Sequence, residues 1–228
     1  MSGKMYSGER GVIGITSWPP RINTVGLTLF SLYRCCPNFH IVLTLSEEEF
    51  PHKEADLPSS LLAMIKANMF EVLFVRKNYK SFKKWIFAAK KYPGLPVISA
   101  DDDCMYKCNY AQELYDKWLE DISINGIRYE YGKLPQMQGP SSLYYLPRVY
   151  VERIIDKLQD DVIAASEDDK MMYKWMNSLK CRFSFVHRNT NKPYIFHDII
   201  QPLNPTEHYK SMKSFKSCFL DADAKESL

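Results

Sequence analysis

Asp101-Asp102-Asp103 stands directly behind Val97-Ile98-Ser99-Ala100, four small or apolar residues that read as a buried strand. Three adjacent carboxylates repel one another unless a cation reaches them. The sharp reading is therefore a divalent metal carrying a phosphorylated substrate at the carboxyl end of a strand. The bland reading, commoner on spacing alone, is a solvated acidic loop that caps the next helix. A second acidic run, Ser166-Glu167-Asp168-Asp169, precedes Met171, Met172, Trp175, Met176 and Leu179 at helical spacing. Ser166 with Asp169 makes a capping-box pattern, so this run by itself signals a helix start. Lys80, Lys83 and Lys84 surround Ser81, the expected N-cap of a helix bearing Phe82, Trp85, Ile86 and Ala89. A phosphate suits that helix start as well as solvent does. His197-Asp198 has the chemistry to ligate a metal or move a proton, although such pairs more often end a strand with their hydrogen bonds satisfied. Cys104 and Cys108 have no second pair at zinc-ligand spacing, which argues against a zinc site.

The elements that would position these groups alternate. Gly11 to Thr16 is a β-favouring run stopped by Ser17-Trp18-Pro19-Pro20, with Arg21 at the loop's exit. A helix over Asn23 to Arg34 presents Val25, Leu29, Leu32 and Tyr33 on one face. Strands at His40 to Leu45 and Glu71 to Val75 flank a helix over Ser59 to Asn68, and Val97 to Ala100 is the fourth strand. This order argues for βαβ units and a mostly parallel sheet, an α/β fold. Further on, Asn109 to Asp121 is helical with Leu114, Tyr115, Trp118 and Leu119 inward, and Asn125 to Pro140 mixes short strands with loops. Ser142 to Leu146 is a strand, Tyr150 to Leu158 a helix, and Phe183 to Val186 and Tyr194 to Phe196 are short strands. From His208 to Leu220, Tyr209, Met212, Phe215 and Phe219 lie beside Lys210, Lys213 and Lys216, a basic amphipathic tail suited to docking on the domain or to an anionic membrane surface.

Composition narrows the class. A chain of 228 residues, 46% of them hydrophobic, can bury a full core. The net charge of +3, with scattered lysines, gives no nucleic-acid footprint. Six cysteines in a chain this well supplied with core residues read as reduced thiols of a cytosol. Lys4, Glu9 and Arg10 exclude an ordinary signal peptide, and no run approaches the length of a membrane span. The 14% aromatic content suits a cleft for sugars or bases.

Five segments, taken in order, resemble a known family. They are Thr16-Ser17-Trp18-Pro19-Pro20-Arg21-Ile22, Lys80-Ser81-Phe82-Lys83-Lys84, Ala100-Asp101-Asp102-Asp103, Leu143-Tyr144 and Glu167-Asp168-Asp169. They resemble the GT-A type glycosyltransferases of the family 2 group, and within it small bacterial polysaccharide glycosyltransferases that open with a Thr-Ser-Trp/Tyr-Pro-x-Arg loop. The resemblance runs from about residue 11 to 180. It implies a single nucleotide-sugar-binding domain over 11–205, with the donor in 11–108 and the acceptor in 109–205, an extension over 1–10 and the basic tail over 206–228. It implies a DxD metal site in which Asp103 ligates Mn²⁺ or Mg²⁺, Asp101 reaches the metal or the ribose, and Asp102 supports them. Thr16, Ser17, Trp18 and Arg21 would line the nucleotide pocket, with Lys80 and Lys83 as phosphate or nucleotide contacts. Asp168, with Asp169 as the alternative, would be the catalytic base, and His197 a further metal ligand as in some GT-A enzymes.

The activity implied is transfer, by inversion, from a nucleoside-diphosphate sugar to a hydroxyl of a saccharide or lipid-linked saccharide. UDP is the commonest donor nucleotide among such relatives. The setting would be polysaccharide, lipopolysaccharide or capsule synthesis in the cytoplasm, with the tail against the inner membrane surface. A retaining outcome stays open, because carboxylate geometry is not legible in sequence. Gly139-Pro140-Ser141-Ser142 departs from the Gly-rich acceptor loop of relatives. The competing readings are a nucleotidyltransferase, which would want a Gly-rich phosphate loop that Thr16 to Arg21 lacks, and a catalytically silent nucleotide-sugar-binding module.

Overall fold

Apolar runs that lack alternating polar residues need a sheet covered on both faces, and the first four long strands build one. The computed structural model describes residues 10–131, 142–158, 175–188 and 194–196. In chain order these form β1 (Gly11–Thr16), α1 (Val25–Cys35), β2 (Phe39–Ser46), α2 (Ser59–Lys66), β3 (Glu71–Val75), α3 (Lys83–Lys91), β4 (Val97–Ala100), β5 (Cys104–Tyr106) and α4 (Tyr110–Glu120). They continue as β6 (Gly126–Tyr131), β7 (Ser142–Tyr144), α5 (Arg148–Lys157), β8 (Phe183–Arg188) and β9 (Tyr194–Phe196).

The main sheet runs β3-β2-β1-β4-β7-β6-β8. Strands β3, β2, β1 and β4 are parallel, β7 is antiparallel to both its neighbours, and β6 and β8 are parallel. β5 and β9 form a separate antiparallel pair. From β1 the chain moves outward through β2 to β3, then returns through α3 to β4 on the other side of β1. The carboxyl ends of β1 and β4 consequently flank a point where the strand order reverses, the place where open α/β sheets bind ligands.

Alternate residues divide the core. Ile13, Ile15, Ile41, Leu43 and Leu45 point to the side of α1, α2 and α4, while Val12 and Val42 point to the side of α3 and α5. α3 lies against β1 because position 14 is glycine: a methyl group there would stand 1.9 Å from the Lys84 carbonyl oxygen. Backbone, not a flexible side chain, would have to move. Gly14→Ala is expected to destabilise the fold by about 3 kcal/mol, read as a lowered midpoint in urea denaturation.

Two faces differ from expectation. Tyr33 on α1 and Leu119 on α4 are exposed, and Thr28 and Ser31 take the buried places on α1. They do so with hydrogen bonds: Thr28 Oγ1 donates to the Asp102 carbonyl at 3.0 Å, and Ser31 Oγ accepts from the Tyr106 backbone N–H at 3.0 Å. Ser81 is not the N-cap of α3. It sits in a 3₁₀ turn, Lys80–Phe82, and Phe82 occupies the cap position without a side-chain bond. β5 is absent from the strands expected from sequence.

At the opposite end of the sheet, Glu71 Oε2 meets His40 Nε2 at 2.9 Å, and Glu71 also pairs with Lys91 and Tyr92. Burial alone would raise this carboxyl, but hydrogen bonds from His40, Lys91 and Tyr92 outweigh it and hold Glu71 at about 2, against 4.5 ordinarily. A depressed folded-state value gives stability that is present above pH 4.5 and lost as the pH falls through 2. Urea unfolding between pH 6 and pH 2.5 should show that decline, and Glu71→Gln should flatten it.

Candidate active site

Proline at positions 19 and 20 suits the tight 3₁₀ turn Pro19–Arg21 that follows β1. The turn aims Arg21 back across the sheet to the residues after β4. Its Nη1 lies 2.9 Å from Asp102 Oδ1 and 3.2 Å from Asp103 Oδ2. Ser17 Oγ donates to Asp102 Oδ2 at 2.7 Å, so with Thr28 on its carbonyl Asp102 is tied to β1 and α1 together. From the other face α3 brings Lys84, whose Nζ is 3.1 Å from Asp101 Oδ1. The Asp101 backbone N–H donates to the Tyr106 hydroxyl at 2.8 Å, and Tyr110 donates to the Ser99 carbonyl at 2.6 Å. The acidic run is thus held by its backbone as well as its side chains.

A cleft of about 600 Å³ opens over these carboxyl ends. It gathers Thr16, Ser17, Trp18, Arg21, Lys80, Lys83, Asp101, Asp102 and Asp103, all named from sequence. Trp18 is exposed at its rim. Asp168, Asp169 and His197 lie outside the described residues, as does the tail over 206–228.

Two cleft residues are not marked by the sequence reading: Glu49 and Asn78. Glu49 sits in the acidic loop after β2, and only its place at a strand's carboxyl end marks it. Its Oε2 accepts from Ser46 Oγ at 2.6 Å and pairs with Lys83 Nζ at 2.7 Å. Lys83 also donates to Asn78 Oδ1 at 2.7 Å. Burial lowers the Lys83 ammonium, while the hydrogen bond and charge of Glu49 work the other way. Lys83 is therefore bound to the cleft wall, fixing Glu49 and Asn78. Lys80 is exposed, with a left-handed φ of 47° and its backbone N–H on Asn78 Oδ1 at 2.9 Å. A β-carbon residue in that region carries strain that its neighbours must hold.

Electrostatics single out Asp103. Burial raises its carboxyl to about 6, the charges of Asp101 and Asp102 add to the rise, and Arg21 pulls against it. Three carboxylates face two cations, Arg21 and Lys84, and the surplus negative charge falls on the most buried acid. Hard carboxylate oxygens with a surplus charge fit Mn²⁺ or Mg²⁺. Among the described residues no three His, Cys, Asp or Glu side chains form a metal cage.

The fold is that of the GT-A type: an α/β architecture with a mostly parallel central sheet flanked by helices. Among solved structures it is similar to a mannosyltransferase, PcManGT of Pyrobaculum calidifontis in complex with GDP-Man and Mn²⁺. The TM-score is 0.53 at 13% identity, over 82% of this chain and 59% of that one. It is equally similar to TarS 1–349 of S. aureus, with a TM-score of 0.53 at 12% identity, over 88% of this chain and 62% of that one. The chain thus spans about three fifths of the proteins it resembles. No protein-family model and no curated protein sequence matches it.

Proposed function

We propose that the protein is a metal-dependent glycosyltransferase that moves a sugar from a nucleoside-diphosphate donor, with UDP the favoured nucleotide, to a hydroxyl of a saccharide or lipid-linked saccharide. One observation carries the reading: Asp101, Asp102 and Asp103 stand at the β1/β4 reversal, cross-tied to Ser17 and Arg21 from the neighbouring strand, and open onto the cleft. The complex of the similar mannosyltransferase with GDP-Man and Mn²⁺ supports the same chemistry.

Asp103 and Asp101 would hold the ion, which when bound neutralises charge on the departing diphosphate. Asp102, turned to Arg21 and Ser17, positions its neighbours. Thr16, Ser17 and Trp18 line the nucleotide's side of the cleft, and Lys80 stands at its edge for a phosphate. Asp168, or Asp169 beside it, takes the proton of the acceptor hydroxyl as that oxygen attacks the anomeric carbon from the face opposite the diphosphate, giving inversion. A late His197 serves as a further ligand in this reading. The enzyme would work at the cytoplasmic side of polysaccharide, lipopolysaccharide or capsule synthesis, with its tail against the membrane. Among the described residues no helix is long and apolar enough to cross a membrane.

A thermal-shift panel of nucleoside diphosphates with and without Mn²⁺ tests the donor side first, because a bound ligand raises the melting temperature by mass action. UDP with Mn²⁺ should give the largest shift, and donor turnover should stop when the metal is chelated. Full turnover in chelator would remove the metal from the mechanism, and absence of any nucleotide shift would remove the donor.

A further inference from the structure

Cys35 ends α1, Cys36 follows it, and Cys108 lies between β5 and α4. The bond from the Tyr106 backbone N–H to Ser31 Oγ, at 3.0 Å, lays the end of β5 against one face of α1. Cys35 is the next residue along that face, roughly 6 Å on. Cys108 is two residues past Tyr106, roughly 6 Å of extended chain. The two thiols lie close enough that Cys108 acts on the Cys35 thiol. Cys36 is buried, and its thiol is influenced by the Ala111 backbone of α4 as well as by Cys108.

We propose that Cys35 and Cys108 form a reversible disulfide, a redox-modification site that ties the end of α1 to the loop leaving β5. The oxidant is a low-molecular-weight disulfide such as oxidised glutathione. The exposed Cys108 attacks first: its thiolate displaces one glutathione thiolate and keeps the other glutathione as a mixed disulfide. Cys35 then gives its proton to solvent and attacks the Cys108 sulfur, expelling the second glutathione thiolate. Two protein thiols are oxidised and one glutathione disulfide is reduced to two thiols. Burial, followed by the contact with Cys108, pushes the Cys35 thiol up, so it does not begin the exchange. Its position beside Cys108 makes the second step intramolecular.

The closed loop runs from 35 to 108 and contains the acidic run, with Asp103 directly before β5 and Thr28 of α1 on the Asp102 carbonyl. The crosslink would join those two supports and restrict the unfolded chain.

The test equilibrates the reduced full chain with oxidised and reduced glutathione, then reads intact mass and non-reducing peptide maps. The expected product has lost two hydrogen atoms, yields a Cys35–Cys108 peptide, melts roughly 5 °C higher, and reverts with dithiothreitol. Cys108→Ser, an exposed and structurally mild change, should abolish both crosslink and shift, and Cys35→Ser should halt at the glutathione adduct on Cys108. A map joining Cys36 to Cys108, or wild-type protein that stops at the adduct, would overturn the proposal.

Discussion

Asp103→Asn should lower donor turnover by roughly 10³-fold while leaving the folded protein as stable as before or more so. The two halves of this expectation come from one cause. Asp103 sits at about 6 in the folded protein against 3.8 ordinarily, chiefly through burial and then the neighbouring Asp101 charge. A folded-state carboxyl raised in this way binds its proton more tightly than the unfolded chain does. Its contribution to stability is present below pH 3.8 and lost as the pH rises through 6. At neutral pH the ionised side chain therefore costs the apoprotein on the order of 1–3 kcal/mol. Asparagine removes that cost, and loss of the contact with Arg21 gives part of it back. Activity and melting temperature should move in opposite directions, which separates a lost metal ligand from a lost fold. Mn²⁺ should stabilise the parent and not the variant. Metal affinity in the parent should fall as the pH drops below about 6, because the ion and the proton compete for the same oxygen. A variant that kept full turnover would exclude Asp103 as the ligand.

Why these particular groups were legible follows from where they sit in the chain. β1, β3 and β4 are apolar runs with sharp ends, so the residues after them could be placed at a sheet edge from sequence. That places the acidic run at a strand's carboxyl end, whereas Thr16, Ser17, Trp18 and Arg21 join it only through the family resemblance, with more than eighty residues between the partners of the Ser17–Asp102 pair. Glu49 and Asn78 were illegible for the converse reason. Each lies in a polar loop whose composition is ordinary, and their partnership with Lys83 exists only once α3 is folded against β1. Lys83 itself was found by position but not by role. Sequence places an ammonium near a helix start, and only packing shows it buried against a carboxylate. Thr28 and Ser31 mislead in the same way, since their hydroxyls look like surface residues until backbone groups of Asp102 and Tyr106 are seen to reach them.

Arg21→Ala should be the most destabilising change at the site. The guanidinium is the cation shared by Asp102 and Asp103, whose side chains are 10% and 8% exposed. Removing one partner of a buried pair leaves charge in low dielectric with nothing to balance it, a loss of about 3 kcal/mol or more. Arg21→Lys should recover only part, because an ammonium on a shorter stem must take the place of the one guanidinium nitrogen that reaches both carboxylates. Asp102→Asn added to Arg21→Ala should be less destabilising than the sum of the single changes, since it withdraws the stranded charge. The discriminating measurement is the metal. If Arg21 mainly balances the acidic run, Mn²⁺ should raise the melting temperature of the alanine variant more than that of the parent, because the ion supplies the missing positive charge. If Arg21 mainly holds the Trp18 to Arg21 turn, the added metal should stabilise both proteins equally, and the electrostatic account would fall.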